Sequence, residues 1–410
     1  MTSEFDLIIP RNETSSVKYD ARLSTFGRAD VIPMWVADMD FAAPAAVQRA
    51  LAERAAHPIY GYTLPPESLY QSLIDWLSKR HDWNVEREWI VLCPGVNPSL
   101  YAAIIGLTER GESVVVQPPI YPPFLSAPQA TGRTLISNPL KFEQGRYEFD
   151  LDHFERCAAD GARLVILCSP HNPVGRVWRE HELAGLLAIC ERHNVTVISD
   201  EIHSDLIYPE MKHTPLAKLA NGRVNVITAV APSKTFNIPG LGLSALIVPQ
   251  KSDREAITRS LGTLHVSASN PFSMVAFEAA YRDGESWLNE LLTYLADTRD
   301  FVRTFIRKHL PRISLIEPEG TYLLWLDCRA MSLDDRQLKR FFVNDAGVGL
   351  MPGIQFGEQG SGFMRMNIGA PRSVVAQALE NITRANACAT EPASQIPRTT
   401  PHPPQKHPHE

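Results

Sequence analysis

Short apolar runs alternate with amphipathic segments of helical spacing through the middle of the chain. Continuous apolar runs rich in β-branched residues at 164–168, 195–199 and 224–229 predict strands buried on both faces, as the strands of a parallel sheet are. Between the first two runs, residues 180–192 repeat apolar positions with the period of a helix. The alternation predicts a doubly wound α/β domain with a mostly parallel sheet.

Weaker segments on both sides extend this pattern. We predict helices over 45–56, 69–80 and 98–108, and strands over 89–93, 114–117 and 243–248. After about residue 275 the pattern changes. A long helical stretch over 273–309, bent near Gly284, is followed by strands over 322–328 and 363–368 and by flanking helices over 333–345 and 374–387. The second part of the chain therefore predicts a smaller α+β domain.

The predicted domain organisation has four parts. They are an N-terminal arm that joins the small domain (1–45), a large domain (46–288), a C-terminal small domain (289–389) and a tail (390–410). Proline, histidine and polar residues dominate the tail, so we predict that it is disordered. His402, His407 and His409 could bind a metal, but a solvated tail is the favoured interpretation, and we predict no metal site.

Composition and charge narrow the class of protein. A chain of 410 residues is longer than one ordinary domain, and its net charge of −6 gives no reason to expect nucleic acid or a membrane surface as a partner. The six cysteines contain no C-x-x-C pair, which favours reduced, buried thiols. The N-terminus lacks the pattern of a signal peptide, and no apolar run approaches the roughly 18 residues of a membrane helix. We therefore expect a cytoplasmic protein.

Three polar residues follow three successive predicted strands: Asn172, Asp200 and Lys234. Each is ordinary alone, because Ser-Lys-Thr is typical of a loop, Asp-Glu of a helix cap and Asn-Pro of a turn. Their common position is informative, since open α/β sheets bind ligands at the carboxyl ends of their strands. A lysine that can form a Schiff base, an aspartate that can hold a pyridine nitrogen protonated and an asparagine that can donate to a ring oxygen together predict pyridoxal 5′-phosphate (PLP) as the cofactor.

Segments along nearly the whole chain then resemble a known family. The chain resembles the fold-type I PLP enzymes, the aspartate aminotransferase superfamily, and within it the cystathionine β-lyase/C-S lyase branch that includes the MalY and PatB proteins. The segments that carry the resemblance are 34–41, 60–63, 93–96, 117–121, 169–175, 199–205, 231–241, 318–322 and 364–369. The resemblance implies a homodimer and a small-molecule amino-acid substrate.

The resemblance assigns roles around the cofactor ring. Lys234 would carry the cofactor and act as the general base on Cα of the substrate. Asp200 would pair with the pyridine nitrogen and Asn172 with the ring oxygen. Tyr121 would stack on the ring, its alternative being a packed aromatic in a proline-rich turn. At the position where aminotransferases usually have a tyrosine, His203 either packs under the ring, which we favour, or bonds the ring oxygen.

Other residues would hold the phosphate and the substrate. The backbone of Gly95, Val96 and Asn97, which opens a helix, would donate to the phosphate, together with Ser233. Tyr62 would reach the phosphate from the other subunit, unless it is a core tyrosine. Arg365 would bind the substrate α-carboxylate as a bidentate pair, with Ala37 adding a backbone donor. An arginine within an apolar strand pattern favours such a site role.

Two positions depart from the aminotransferase pattern and agree with the C-S lyase branch. Gly242 stands where many aminotransferases have a phosphate-binding arginine, and Ala231 stands where they have a serine. No residue supplies a second arginine for a distal carboxylate, which argues against a dicarboxylate aminotransferase.

The resemblance implies a PLP-dependent carbon–sulfur β-lyase. It would cleave L-cystathionine or related cysteine S-conjugates to a thiol, pyruvate and ammonia. The departing thiolate would take its proton from Lys234 or from the Tyr121 hydroxyl. Two alternatives stay open: an aminotransferase, since the same residues serve both reactions, and a MalY-like regulatory binding protein.

Overall fold

A seven-stranded sheet forms the centre of the computed structural model, which describes residues 3–390. Its strands, in spatial order, are Ile90–Cys93, Ser244–Ile247, Val226–Val230, Thr196–Asp200, Ala162–Cys168, Ser113–Val116 and Thr134–Ser137. All neighbours pair in parallel except Ser244–Ile247, which runs antiparallel to the strand on each side. The prediction of a mostly parallel sheet is thus confirmed.

The apolar runs of the central strands serve two cores, one on each face of the sheet. Leu164, Ile166 and Ile198 belong to one cluster of buried side chains. Val165 and Val197 belong to the opposite cluster, as the two-residue period of a strand requires. Helices cover both faces, and this explains why the strand sequences are apolar without interruption.

Helices follow most strands. Those of five or more residues are Arg22–Phe26, Ala45–Ala56, Glu67–His81, Val96–Leu107, Pro122–Ala130, Leu151–Ala159, Glu180–His193, Leu216–Ala220, Lys251–Thr263, Pro271–Asp283, Glu285–His309, Asp335–Arg340 and Arg372–Thr390. Two single turns also matter, Val17–Asp20 in the N-terminal arm and Pro232–Thr235 after a central strand.

A second, antiparallel sheet gives the α+β part of the fold. Its strands, in spatial order, are Ser314–Leu315, Leu323–Asp327, Phe363–Asn367 and Met351–Pro352. The N-terminal arm contacts the same half of the chain, because Ile32–Pro33 pairs in parallel with Val348–Gly349. A hairpin of Lys141–Glu143 and Arg146–Glu148 completes the strands. The domain boundaries remain a prediction.

The structure differs from the sequence prediction at several elements. The bend predicted near Gly284 is confirmed, but it is a break between two helices; a Cβ atom at Gly284 would collide with the Ala280 carbonyl and the Phe236 ring. The helix predicted over 333–345 begins at Asp335 and widens into a π-helical turn at Phe341–Asp345. Pattern reasoning did not identify the helix after Tyr121 or the edge strand that follows it, since two prolines open that helix and the strand is only half-buried.

Further findings concern membrane-spanning helices, the cysteines and the predicted tail. Within residues 3–390, no helix is both long and apolar enough to cross a membrane. Five cysteines, at 93, 157, 168, 190 and 328, are buried and unpaired, as expected. The predicted disordered tail, with His402, His407 and His409, lies outside the described residues.

Candidate active site

A pocket of about 450 Å³ opens at the carboxyl ends of the central parallel strands. Cys168 and Asp200 end two neighbouring strands in register, and the turn Pro232–Thr235 follows the next strand. Of the predicted site residues, those that line this pocket are Ala37, Gly95, Val96, Asn97, Tyr121, Asn172, Asp200, His203, Ser233, Lys234 and Arg365. The fold therefore brings together residues that are spread over more than 300 positions of sequence.

Lys234 points into the pocket from its single helical turn. Its Nζ donates a hydrogen bond of 2.6 Å to the carbonyl oxygen of Ala37. Burial and the nearby Arg365 guanidinium lower the pKa of Lys234 to about 8, although Asp38 and Asp200 act in the opposite direction. An amine with this pKa is partly neutral near physiological pH, which suits a nucleophile or a general base.

Asp200 is a buried carboxylate that receives few hydrogen bonds. The backbone N–H of Ile202 donates to its Oδ1 at 3.1 Å. Burial raises the pKa of Asp200 to about 7, further helped by the neighbouring charge of Glu201. A cationic nitrogen placed against this carboxylate would favour its ionised form, so its environment fits a pyridinium partner.

Arg365 is buried in the middle of an apolar strand and is held by two acceptors. It donates to Asn172 Oδ1 at 3.1 Å and to the carbonyl oxygen of Trp35 at 2.8 Å. Its guanidinium also lies 5.0 Å from the centre of the Phe356 ring. Burial lowers the pKa of Arg365 to about 10, which leaves it cationic at neutral pH. The guanidinium is thus fixed beside the lysine.

The backbone of residues 35–38 forms one wall of the pocket, and side chains from the second sheet hold it there. Asn367 donates to the carbonyl oxygens of Val36 and Asp38, both at 2.6 Å. The Tyr322 hydroxyl donates to the same Ala37 carbonyl as Lys234, at 2.9 Å. All of these contacts use carbonyl oxygens of residues 36–38. They hold this stretch of backbone in place, and its Ala37 carbonyl accepts the hydrogen bond from the lysine.

The N-terminus of the helix Val96–Leu107 forms another part of the pocket wall. Gly95 precedes it with φ of +140°, a conformation that favours glycine. Gly242 lies beside it with φ of +56°, and a Cβ there would come within 3.2 Å of the Pro94 carbonyl oxygen. A large side chain at 242 would therefore be strained. The first N–H groups of a helix have no partner within the helix, so this terminus and the Ser233 hydroxyl on the pocket wall offer a surface that suits an anion.

The side chain of Asn97 takes a role that the sequence did not predict. Its Nδ2 donates to the Tyr121 hydroxyl at 3.3 Å. Tyr121 itself precedes the helix Pro122–Ala130 and packs edge-on against Phe124, 6.0 Å between ring centres. The contact orients the phenol on the pocket wall.

Two buried polar atoms on the pocket wall have no hydrogen-bond partner within the described part of the chain. They are His203 Nδ1 and Arg365 Nε. Burial, with the charges of Lys234 and Arg365, lowers the pKa of His203 to about 3, so this imidazole is neutral. Buried polar groups are rarely left unpaired, and a ligand with polar oxygens would complete the wall. Together with the Asp200 environment and the helix N-terminus, this fits PLP.

Tyr62 is the one predicted site residue that does not line this pocket. It is fully exposed in an extended loop, so the alternative of a core tyrosine is wrong. Ile59, Tyr60 and Leu64 of the same loop are also exposed.

Sequence reasoning missed several residues that shape the site: Trp35, Tyr322, Met351 and Asn367. Asn367 could have been found in the same way as Arg365, because both are polar residues within an apolar strand pattern. Trp35 and Tyr322 lie in segments that carry the family resemblance. Met351 gave no signal, since a methionine in an apolar run is typical of a core.

Comparisons with known proteins agree with this geometry. The family model of the class I and II aminotransferases matches residues 29–382. Cystathionine β-lyase PatB of Bacillus subtilis (strain 168) is 42% identical over 383 residues, covering 93% of this chain and 99% of that protein. Protein MalY of Escherichia coli (strain K12) is 32% identical over 385 residues, covering 93% and 98%.

A solved structure gives the same result for the fold. A PLP-bound putative aminotransferase from Clostridium difficile 630 superposes with a TM-score of 0.92 at 40% identity, covering 94% of this chain and 100% of that one. The fold, the pocket at the strand ends and the two full-length relatives lead to one conclusion: the chain belongs to the class I and II aminotransferase family, in the branch that contains PatB and MalY.

Proposed function

We propose that the protein is a PLP-dependent carbon–sulfur β-lyase that cleaves L-cystathionine or related cysteine S-conjugates to a thiol, pyruvate and ammonia. The proposal rests on one observation: Lys234 and Arg365 line the same buried pocket, at the strand ends where Asp200 lies. The 42% identity to a cystathionine β-lyase over nearly the whole chain supports the choice of reaction.

The residues around the pocket have distinct tasks towards the cofactor. Asp200 would face the pyridine nitrogen and Asn172 the ring oxygen, while Tyr121 would cover one face of the ring. The helix N-terminus at Gly95–Asn97 and Ser233 would hold the phosphate. When bound, PLP withdraws electrons from Cα of an amino acid and so makes its proton acidic.

Arg365 would fix the substrate through its α-carboxylate. The guanidinium is already oriented by Trp35 and Asn172, so little freedom is lost when a carboxylate binds. Within the described lining of the pocket, Arg365 is the one arginine. This supports a substrate whose distal end does not need a second guanidinium.

Lys234 would move the protons. Its Nζ would take the proton from Cα, and its lowered pKa supports this, because a neutral amine is needed for that step. The thiolate that leaves Cβ would then take a proton from the Lys234 ammonium or from the Tyr121 hydroxyl, which Asn97 orients.

The decisive experiment measures pyruvate and free thiol released from L-cystathionine by the purified protein with PLP and no keto acid. Equal amounts of both products are expected. The Lys234→Ala protein is the control for non-enzymatic release. If neither product appears, and the amino group of L-cystathionine is instead transferred to an added keto acid, the protein is an aminotransferase.

The aminotransferase is the second candidate function. The structural relative at 40% identity is named a putative aminotransferase, and Lys234, Asp200 and Arg365 would serve both reactions. The requirement for a keto acid separates the two.

We also propose a homodimer in which Tyr62 reaches the phosphate site of the other subunit. The full exposure of Tyr62, with the apolar Ile59 and Leu64 beside it, supports a loop that is covered by a second copy. Mixing the inactive Lys234→Ala and Tyr62→Ala proteins under subunit exchange should restore part of the activity, since one site of each hybrid then has both residues. No recovery, with the exchange of subunits verified, would contradict the proposal.

A reducing compartment such as the cytoplasm is our proposed location. The five described cysteines, all buried and unpaired, support it.

A further inference from the structure

Asp205 is a buried carboxylate on the far side of the segment that carries Asp200, and it does not line the active-site pocket. Its Oδ2 accepts a hydrogen bond of 2.9 Å from the Thr235 hydroxyl. Its Oδ1 accepts from the Trp76 indole N–H at 3.1 Å and contacts His81 Nε2 at 2.8 Å. The carboxylate thus joins the helix Glu67–His81 to the turn of the active-site lysine.

Neighbouring hydrogen-bond donors compensate the negative charge of Asp205. Burial acts to raise the pKa of this carboxyl, but the bonds from His81 and Thr235 outweigh burial and leave the pKa below its ordinary value. The side chain is 5% exposed, so few water molecules can replace these donors. Hydrogen bonds to a buried charge are about twice as strong as neutral ones and hold their geometry well.

Thr235 immediately follows Lys234 in a helix of only four residues, Pro232–Thr235. One isolated turn is unstable by itself, because it fixes several backbone angles for a single hydrogen bond. Two contacts hold it: Lys234 Nζ bonds to Ala37 in this structure, and Thr235 bonds to Asp205, a contact that would persist when Nζ carries the cofactor. The latter contact fixes the backbone from which the lysine side chain extends.

Asp205 acts on the lysine through position. The charges that alter the pKa of Lys234 are those of Arg365, Asp38 and Asp200. Removing the contact between Thr235 and Asp205 should therefore leave these three charges in place while freeing the backbone of the lysine to move relative to them. This separates Asp205 from the groups that face the cofactor.

We propose that Asp205 is a positioning residue that, through Thr235, holds Lys234 at the distance needed for proton transfer at Cα. The inference rests on the proposed role of Lys234 as the base, and it does not depend on whether elimination or transamination follows. A misplacement of about 1 Å can cost on the order of 10²-fold in rate, so the loss of one anchoring bond has a measurable effect.

The test compares two substitutions that each remove one donor to the same carboxylate. Thr235→Val removes the donor that is attached to the lysine turn, and Trp76→Phe removes one that is not. Thr235→Ser keeps the hydroxyl and is the conservative rescue. The readouts on the PLP-loaded proteins are the melting temperature, the pH dependence of the bound-cofactor absorption, and the exchange of the Cα proton of L-alanine for deuterium followed by NMR.

We expect Thr235→Val to slow Cα exchange about 10-fold or more at saturating L-alanine and to shift the pH dependence of the absorption. Thr235→Ser should restore exchange to within about threefold of the unsubstituted protein. Trp76→Phe should lower the melting temperature at least as much as Thr235→Val does, since it loses one hydrogen bond and also part of a buried ring, and it should leave exchange within about twofold.

Equal losses of exchange in Thr235→Val and Trp76→Phe would show that Asp205 only stabilises the fold and would overturn the proposal. Unchanged exchange in Thr235→Val would overturn it as well. If Thr235→Val does not fold, Thr235→Ala gives the same comparison, because it also removes the hydroxyl. Cα exchange without release of thiol in the unsubstituted protein would refute the proposed lyase function and leave this inference intact.

Discussion

The segment from Asp200 to Asp205 has two faces that differ in how their charges are satisfied. Asp200 and His203 face the active-site pocket; within residues 3–390 the carboxylate receives one backbone hydrogen bond and the imidazole Nδ1 receives none. Glu201 and Asp205 face away from it. Glu201 accepts from the Ser199 hydroxyl, from His213 and from a backbone N–H, at 2.8 to 3.0 Å.

The pKa values express the same difference. Burial raises the pKa of Asp200 to about 7, whereas the partners of Asp205 bring its pKa below the ordinary value although it is equally buried. Since both carboxylates are buried, burial alone does not explain the contrast. On the side that faces away from the pocket, other residues of the chain donate hydrogen bonds to both carboxylates. On the side that faces the pocket, a ligand would supply the missing partners. Substitutions on the two faces should therefore affect different properties.

The largest effect is expected at the pocket face, for Lys234→Ala. Because Lys234 is the one lysine among the described residues that line the pocket, we expect turnover of L-cystathionine to fall by at least ~10³-fold, with the melting temperature nearly unchanged. Steady-state kinetics and thermal unfolding are the measurements. Lys251→Ala, at an exposed lysine, is the matched control and should keep full activity. Full turnover by Lys234→Ala would refute the mechanism.

A smaller loss is expected for Arg365→Lys. The charge is kept, but lysine cannot bond Asn172, Trp35 and a carboxylate at once in one plane, so we predict a decrease of kcat/KM by about 10²-fold. Kinetics with L-cystathionine test this. Arg282→Lys, on an exposed helix surface, serves as control. A kcat/KM within twofold of the unsubstituted protein would mean that the carboxylate binds elsewhere.

On the opposite face, Glu201→Gln should affect stability rather than turnover. Glutamine keeps the shape but weakens the pair with His213, so the free energy of unfolding should fall by about 2 kcal/mol while kcat stays within about threefold. Urea unfolding and steady-state kinetics measure the two quantities. Glu210→Gln, at an exposed carboxylate that pairs with Arg299, should change neither by a comparable amount. If kcat falls by much more than about threefold while the free energy of unfolding is nearly unchanged, the two faces do not have separate functions.

The smallest effect, for a change of one pH unit, is the pH dependence of the stability of the PLP-free protein. The folded pKa of Asp200, about 7, exceeds its ordinary value of 3.8, so between these pH values the folded state binds more protons than the unfolded state. The free energy of unfolding should decrease as pH rises through this window, by at most ~1.4 kcal/mol per pH unit from this group. Urea titrations at several pH values measure it. Asp200→Asn should remove this component, and an unaltered slope in that variant would assign it to another group.

Local pattern was sufficient for the central strands and for several of the residues that line the pocket. The uninterrupted apolar runs predicted the central strands within about two residues at each end, because strands buried on both faces need apolar side chains at every position. Asn172, Asp200, Lys234 and Arg365 were found because a polar residue at a strand end or within an apolar strand conflicts with its surroundings. The antiparallel direction of Ser244–Ile247 could not be predicted, since the direction of a strand leaves no mark on its own composition.

The sequence by itself determined which residues could do chemistry and the order in which they follow the strands. Only the tertiary structure decided what surrounds them. Trp76 and Thr235 meet Asp205 across 129 and 30 residues of chain, and Tyr322 reaches the Ala37 carbonyl across 285. Periodicity reports only neighbours within a few residues, whereas a hydrogen bond depends on distance in space. The completed face and the open face of one short segment are therefore properties of the fold.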